Sequence, residues 1–176
     1  MLRWMLSGIA VMVIAGGVTA QSVSRPVAGS VVGKKLIEFG WDEPDTTFMR
    51  RHIEQMEKTP FDGCVYDIRC RLADGKETDF IWSAWSKRAF KPEEVQHAID
   101  DLKATKFTRF KYNFLRFNVT PGDLDWFDDY SAVINNARLA ARVARHGGVG
   151  ILFDTEQYVS PLFTYAKQPG ASKRSW

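Results

Sequence analysis

The sequence predicts an α/β fold built on a parallel sheet, and three observations lead there. Short apolar segments alternate with amphipathic segments of helical period. Glycine and proline punctuate the joins between them. Polar residues gather at the far end of each apolar segment, the arrangement of parallel strands whose ends carry a site. The chain of 176 residues is 45% hydrophobic and 26% charged. That is ordinary for a globular domain and excludes disordered, collagenous and coiled-coil readings. Basic residues number 24 against 21 acidic, a net charge of +3 with no basic block, so nucleic-acid binding is not expected. Six Trp, five Tyr and twelve Phe suit a dense core or a sugar-type cleft.

The first twenty residues read as a secretory signal peptide. Arg3 gives a positive start, Leu6 to Val18 is apolar, and Val18-Thr19-Ala20 fits a small-x-small cleavage site before Gln21. An uncleaved anchor is the rival, but the apolar run falls short of the roughly 18 residues that span a bilayer. A secreted or periplasmic protein is therefore expected, without stable membrane insertion after cleavage. Residues 21–33 are small and polar, with Pro26 and Gly29, and read as a linker.

Leu36 to Trp41 is the first strand. Asp45 is a good N-cap for a helix over about 46–58, with Met49, Ile53 and Met56 on one face and Thr59-Pro60 as its stop. Phe61 to Ile68 is the second strand. Asp74-Gly75 marks a hairpin turn between Leu72 and Phe80-Ile81-Trp82. Pro92, Glu93 and Glu94 open a second helix striped by Val95, Ala98, Ile99 and Leu102. Phe110 to Val119 alternates as a third strand, a long helix is expected over about 125–146, and Gly147-Gly148 caps it. Val149 to Asp154 is a fourth strand, apolar enough for burial on both faces. Residues 34–160 thus form the expected domain, and 161–176 an irregular tail. Cys64 is expected to be buried and Cys70 unpaired, because six extended residues span about 20 Å. A bridge would need the chain to turn back after Asp67. No zinc spacing and no metal site are seen.

The strand ends carry Trp41-Asp42-Glu43, then Asp67 and Arg69, then Arg116 and Asn118, then Asp154-Thr155-Glu156-Gln157-Tyr158. Asp154 and Glu156 lie two apart, so strand geometry points both carboxylates the same way. Two close carboxylates repel, and one can keep a proton near neutral pH, as a general acid on a glycosidic oxygen must. The plainer alternative is a helix cap or an ion pair with Arg116 or Lys167. Trp41 is either a sugar-stacking platform or core. Asp42, Asp67, Asn118 and Tyr158 are expected to line the same cleft. Phosphate-loop, dinucleotide and serine-hydrolase motifs are lacking, and no cofactor is expected.

On these strand ends the chain resembles the N-terminal half of a glycoside-hydrolase-type (β/α)8, or TIM, barrel. Its opening from Phe39 through Thr46, and Phe61-Asp62-Gly63-Cys64-Val65, is also similar to secreted bacterial proteins with such domains. Chitinase-like families end their fourth strand in Asp-x-Glu, which Asp154-Thr155-Glu156 resembles. Gly150 and Leu152 stand where those families carry further aspartates. In the large retaining clan the acid/base glutamate follows an asparagine, whereas Thr155 precedes Glu156. The resemblance implies a carbohydrate substrate, Glu156 as proton donor and Asp154 tuning it. It also implies that four strands of an eight-strand plan are present, completed by a missing C-terminal half or a second chain. A non-catalytic carbohydrate-binding fragment and an open flavodoxin-like sheet are the alternatives.

Overall fold

The computed structural model describes residues 33–119, 123–156 and 164. The expected signal peptide, all of the linker but Gly33, Tyr158 and Lys167 lie outside the described residues, as does the tail apart from Thr164. The elements are β1 (Ile37–Glu38), α1 (Thr46–Met56), β2 (Gly63–Tyr66), β3 (Arg69–Arg71) and β4 (Glu77–Asp79), followed by α2 (Pro92–Ala104), β5 (Phe114–Asn118), α3 (Ser131–Ala144) and β6 (Gly150–Asp154). The fold is α/β. Its main sheet runs β1-β2-β5-β6 with every neighbouring pair parallel, and β3-β4 is a separate antiparallel hairpin.

The parallel strands are laid down in chain order. A flavodoxin-like sheet reverses its strand order partway, and the described strands do not. One core cluster joins Met49, Ile53 and Met56 of α1 to Val95, Ile99 and Leu102 of α2 and Leu139, Ala140 and Val143 of α3. Cys64, Tyr66, Leu115 and Phe117 enter the same cluster from the sheet. All three helices therefore cover one face. The alternation that turns Leu115 and Phe117 toward the helices turns Arg116 and Asn118 to the other face.

Local chemistry explains where each element begins. Asp45 caps α1, its Oδ1 accepting from the Phe48 N–H at 2.7 Å. Pro92 opens α2, and Glu94 reaches back to accept from the Lys91 N–H at 2.8 Å. Gly75 takes φ +80° in the β3–β4 turn, a conformation only glycine adopts without strain. A side chain at Gly63 would run into the Tyr112 carbonyl, so β2 enters the sheet only with glycine there.

Several elements are shorter than their sequence pattern. The pattern from Phe110 becomes a strand only at Phe114, because the Lys111 and Tyr112 N–H groups donate to the Asp62 carbonyl instead of a ladder. The Thr108, Arg109 and Phe110 N–H groups donate to Glu57. The expected helix from 125 begins at Ser131. Asp125 and Asp129 accept from the Phe127 and Ser131 N–H groups, and Asp128 from Asp125, which folds this stretch into turns.

Two buried asparagines fasten the loops. Asn113 Oδ1 accepts from the Cys64 N–H, and its Nδ2 donates to the Phe110 and Gly147 carbonyls. Asn136 on α3 accepts from the Phe90 N–H at 2.9 Å and donates to the Ala84 and Arg88 carbonyls at 2.8 Å. It thereby holds the aromatic excursion after β4 against the helix layer. Cys64 and Cys70 are both buried and unpaired, and burial pushes each thiol up to about 12. No helix among the described residues is long and apolar enough to cross a membrane.

Candidate functional site

The C-terminal ends of β5 and β6 meet at one guanidinium. Arg116 stands in the middle of β5 and is 6% exposed. A buried arginine in a strand needs partners, and it has three carboxylates. Its Nη1 donates to both oxygens of Glu43, at 2.8 and 3.0 Å. Its Nη2 donates to Asp154 Oδ2 at 2.7 Å and to Glu156 Oε2 at 3.0 Å. Asn118, fully buried two residues along β5, donates its amide to the same Glu156 Oε2 at 2.6 Å. Parallel register places Asn118 beside Asp154 and Arg116 beside Leu152, so the strand pair itself brings these groups together.

Aromatic rings rim the cluster. Arg116 lies 5.6 Å from the Phe39 ring centroid and 5.8 Å from that of Trp82, both rings being about half exposed. Trp41, between Phe39 and Glu43 in sequence, is 88% exposed and does not belong to the core. Asp42 is exposed as well.

Three described carboxylates meet this one guanidinium. Burial pushes the Glu43 carboxyl up, against the pull of Arg116, and Asp154 adds to the push. Glu38, on β1, is raised by burial and then by Glu43. Asp67, just past β2, donates its N–H to the Pro44 carbonyl and bridges to Asp45. It is 4% exposed, and its Oδ1 has no hydrogen-bond partner. Arg69 comes only to 3.8 Å and also pairs with Asp79 at 3.1 Å. Burial and then the charges of Asp79, Asp45 and Glu43 lift the Asp67 carboxyl to about 7.

Asp154 and Glu156 of the expected site thus converge on Arg116, and Asn118 joins them through Glu156. Asp67 sits in the electrostatic reach of Glu43 rather than on Arg116, Trp41 and Asp42 stand on the neighbouring exposed loop, and Tyr158 lies outside the described residues. The ion pair with Arg116, the plainer alternative for Asp154 and Glu156, is formed. Sequence reasoning placed Arg116 and Glu43 at strand ends but not at the centre. The signal was a lone charge amid Phe114-Leu115 and Phe117, which a buried strand tolerates only when paired. No group of histidine, cysteine or carboxylate side chains among the described residues is arranged to hold a metal ion. Comparison with protein-family models, curated proteins and solved structures finds no match to this chain.

Proposed function

We propose that the protein is an exported carbohydrate-binding relative of glycoside-hydrolase barrels, its four parallel strands being one half of a TIM-type plan. Chain-order strands with all helices on one face are the arrangement such a barrel uses. The outer sides of β1 and β6 have no partner among the described strands, which suits completion by further strands or a second chain.

The observation that carries the binding reading is the pair of rings, Phe39 and Trp82, beside the hydrogen-bonding cluster of Arg116, Glu43, Asp154 and Asn118, with the exposed Trp41 two residues from Phe39 in sequence. Sugars present apolar C–H faces and hydroxyl edges, and such a site offers rings to the first and charged donors and acceptors to the second. Hydrolysis with Glu156 as proton donor is the less favoured reading. Glu156 Oε2 already accepts from both Arg116 and Asn118, and Asp154 shares the same Arg116 nitrogen. Two carboxylates gathered on one nitrogen leave no room between them for the water an inverting pair requires.

The test is binding of a panel of soluble glycans by tryptophan fluorescence or NMR, with Trp41→Ala and Trp82→Ala alongside. Loss of a stacking ring is expected to cost about 0.5–1.5 kcal/mol of affinity. Binding by none of the panel overturns the reading, and turnover abolished by Glu156→Gln would restore the hydrolase.

A further inference from the structure

We propose that the end of the sheet opposite the strand-end site docks on an anionic phospholipid surface, through unpaired Lys and Arg side chains and the exposed Leu36 and Val149. The inference is independent of the carbohydrate reading.

The parallel strands all start at one end, and each connecting helix leads back to it. Cations from separate stretches of sequence meet there. Lys34 and Lys35 precede β1, and Lys35 lies 4.7 Å from the ring centroid of Tyr112, just ahead of β5. Beside Tyr112, Lys111 donates to the Phe107 carbonyl at 2.7 Å. Arg51 and Lys58, toward the close of α1, line one groove with Lys106, which follows α2. Lys103 stands in the last turn of α2, and Arg142 and Arg145 close α3. Desolvation and then the charges of Lys103, Arg145 and Arg142 hold His146 below the usual imidazole range, so these three share one neighbourhood. All of these lysines and arginines are exposed.

None of them forms an ion pair with a described carboxylate. All 21 acidic residues of the chain are among the described residues, so no carboxylate side chain elsewhere is left to pair them. The nearest carboxylates are engaged otherwise. Glu57 accepts from the Thr108, Arg109 and Phe110 N–H groups, Asp62 from the Leu36 N–H, and Asp100 from Gln96. Glu54 is outnumbered in its groove by Arg51, Lys58 and Lys106. Helix dipoles favour Lys58, Lys103, Arg142 and Arg145 at these positions. They do not account for Lys34, Lys35 and Lys111, which stand outside the helices. The net charge of +3 conceals this face because Glu43, Asp67, Asp154 and Glu156 gather at the other end.

The second observation is apolar. Leu36 and Val149 stand just ahead of β1 and β6, at the same end, and are 51% and 57% exposed. Unpaired cations attract phosphate headgroups, and exposed apolar side chains beside them enter the acyl boundary. An acidic polysaccharide would use the cations and leave Leu36 and Val149 idle.

The experiment mixes the full chain with phosphatidylcholine vesicles, with and without phosphatidylglycerol. Cosedimentation reads affinity, and lysine acetylation reads which face is covered. Each basic residue near an anionic surface contributes about fivefold. The expected result is at least about tenfold tighter binding to the anionic vesicles, shrinking as salt rises. Lys58, Lys103, Lys106 and Lys111 should be shielded there, while Lys87 and Lys91 stay reactive. The triple variant Lys103→Glu, Arg142→Glu and Arg145→Glu, checked for its fold by circular dichroism, should lose the preference. Should it not fold, Lys58→Gln with Lys106→Gln carries the same test. The apolar stretch from Leu6 to Val18 is common to every variant and both vesicles. Equal binding to the two vesicles, a preference that survives charge reversal, or shielding of Lys87 and Lys91 instead overturns the proposal. Binding to soluble alginate that Leu36→Ser with Val149→Ser leaves unchanged, without any vesicle preference, overturns the lipid in favour of an acidic polysaccharide.

Discussion

Replacing Asp67 by asparagine should stabilise the protein at neutral pH and do little in acid. The carboxyl titrates at about 7 in the folded chain against an ordinary 3.8. Between those values the native state holds a proton that the unfolded chain releases, so wild-type stability falls as pH rises through the window. At about 1.4 kcal/mol per pH unit, the loss across the window amounts to as much as about 4 kcal/mol. Asparagine fits the same space without that charge, and the contact it removes, to Arg69, is 3.8 Å long and weak. In acid the two proteins should differ by no more than about 1 kcal/mol. Above neutrality Asp67→Asn should be the more stable by several kcal/mol. Urea unfolding followed by tryptophan fluorescence, at a series of pH values, measures the difference directly. Titrating groups remote from Asp67 contribute to both proteins and cancel, whereas Asp79, Asp45 and Glu43, which feel its charge, shift with it. A difference that stays flat from about pH 4 to about pH 8 refutes the reasoning, for it would mean Asp67 is ionised throughout.

Arg116→Met leaves three carboxylates without their shared cation and should cost about 3–5 kcal/mol, read as a fall in melting temperature. Asn136→Ala strips the Phe90 N–H and the Ala84 and Arg88 carbonyls of a partner. It should cost about 1–3 kcal/mol and speed hydrogen exchange across residues 80–90 ahead of the sheet. Gly63→Ala drives a methyl group into the Tyr112 carbonyl and should destabilise by more than about 1 kcal/mol in the same melts. Glu57 is held below the usual carboxylate range by Thr108 and by the N–H groups of Phe110, Arg109 and Thr108, which outweigh burial. Its contribution is therefore present at neutral pH and lost as pH falls through its folded value, so Glu57→Gln should flatten the acid limb of the stability curve.

The sequence pattern reached the elements that have a strong periodicity and a cap. The stripe of Met49, Ile53 and Met56 behind Asp45, and that of Val95, Ile99 and Leu102 behind Pro92, both became helices where expected. It overran where side chains compete for backbone N–H groups. Asp125, Asp128 and Asp129 are compatible with a helical period, yet each captures a local N–H and makes a turn. The same holds for Phe110 to Asn113, where alternation suggests strand but Asp62 and Glu57 take the hydrogen bonds. At the site, period-two spacing pointed Asp154 and Glu156 the same way, and its place at a strand end pointed to Asn118. Neither could show that Glu43, seventy-three residues before Arg116, closes the cluster, because that contact belongs to the packing of loop on sheet.

The parallel sheet assigns its two faces different work. Cys64, Tyr66, Leu115 and Phe117 bury apolar surface under the helices and supply the stabilising part of the fold. The alternate positions carry Arg116, Asn118 and Asp154, where a hydrophobic set of similar volume would hold the strands together at no desolvation cost. The buried guanidinium keeps three carboxylates fixed within 3.0 Å of its nitrogens. Asp67 adds an unsatisfied oxygen that stability alone would remove. Polar groups that are fixed, partly unsatisfied and rimmed by exposed rings raise the energy of the empty site, and a ligand that completes their hydrogen bonds recovers it. Under the proposed function, ligand recognition at the strand ends accounts for the charge cluster better than a need to hold the sheet together.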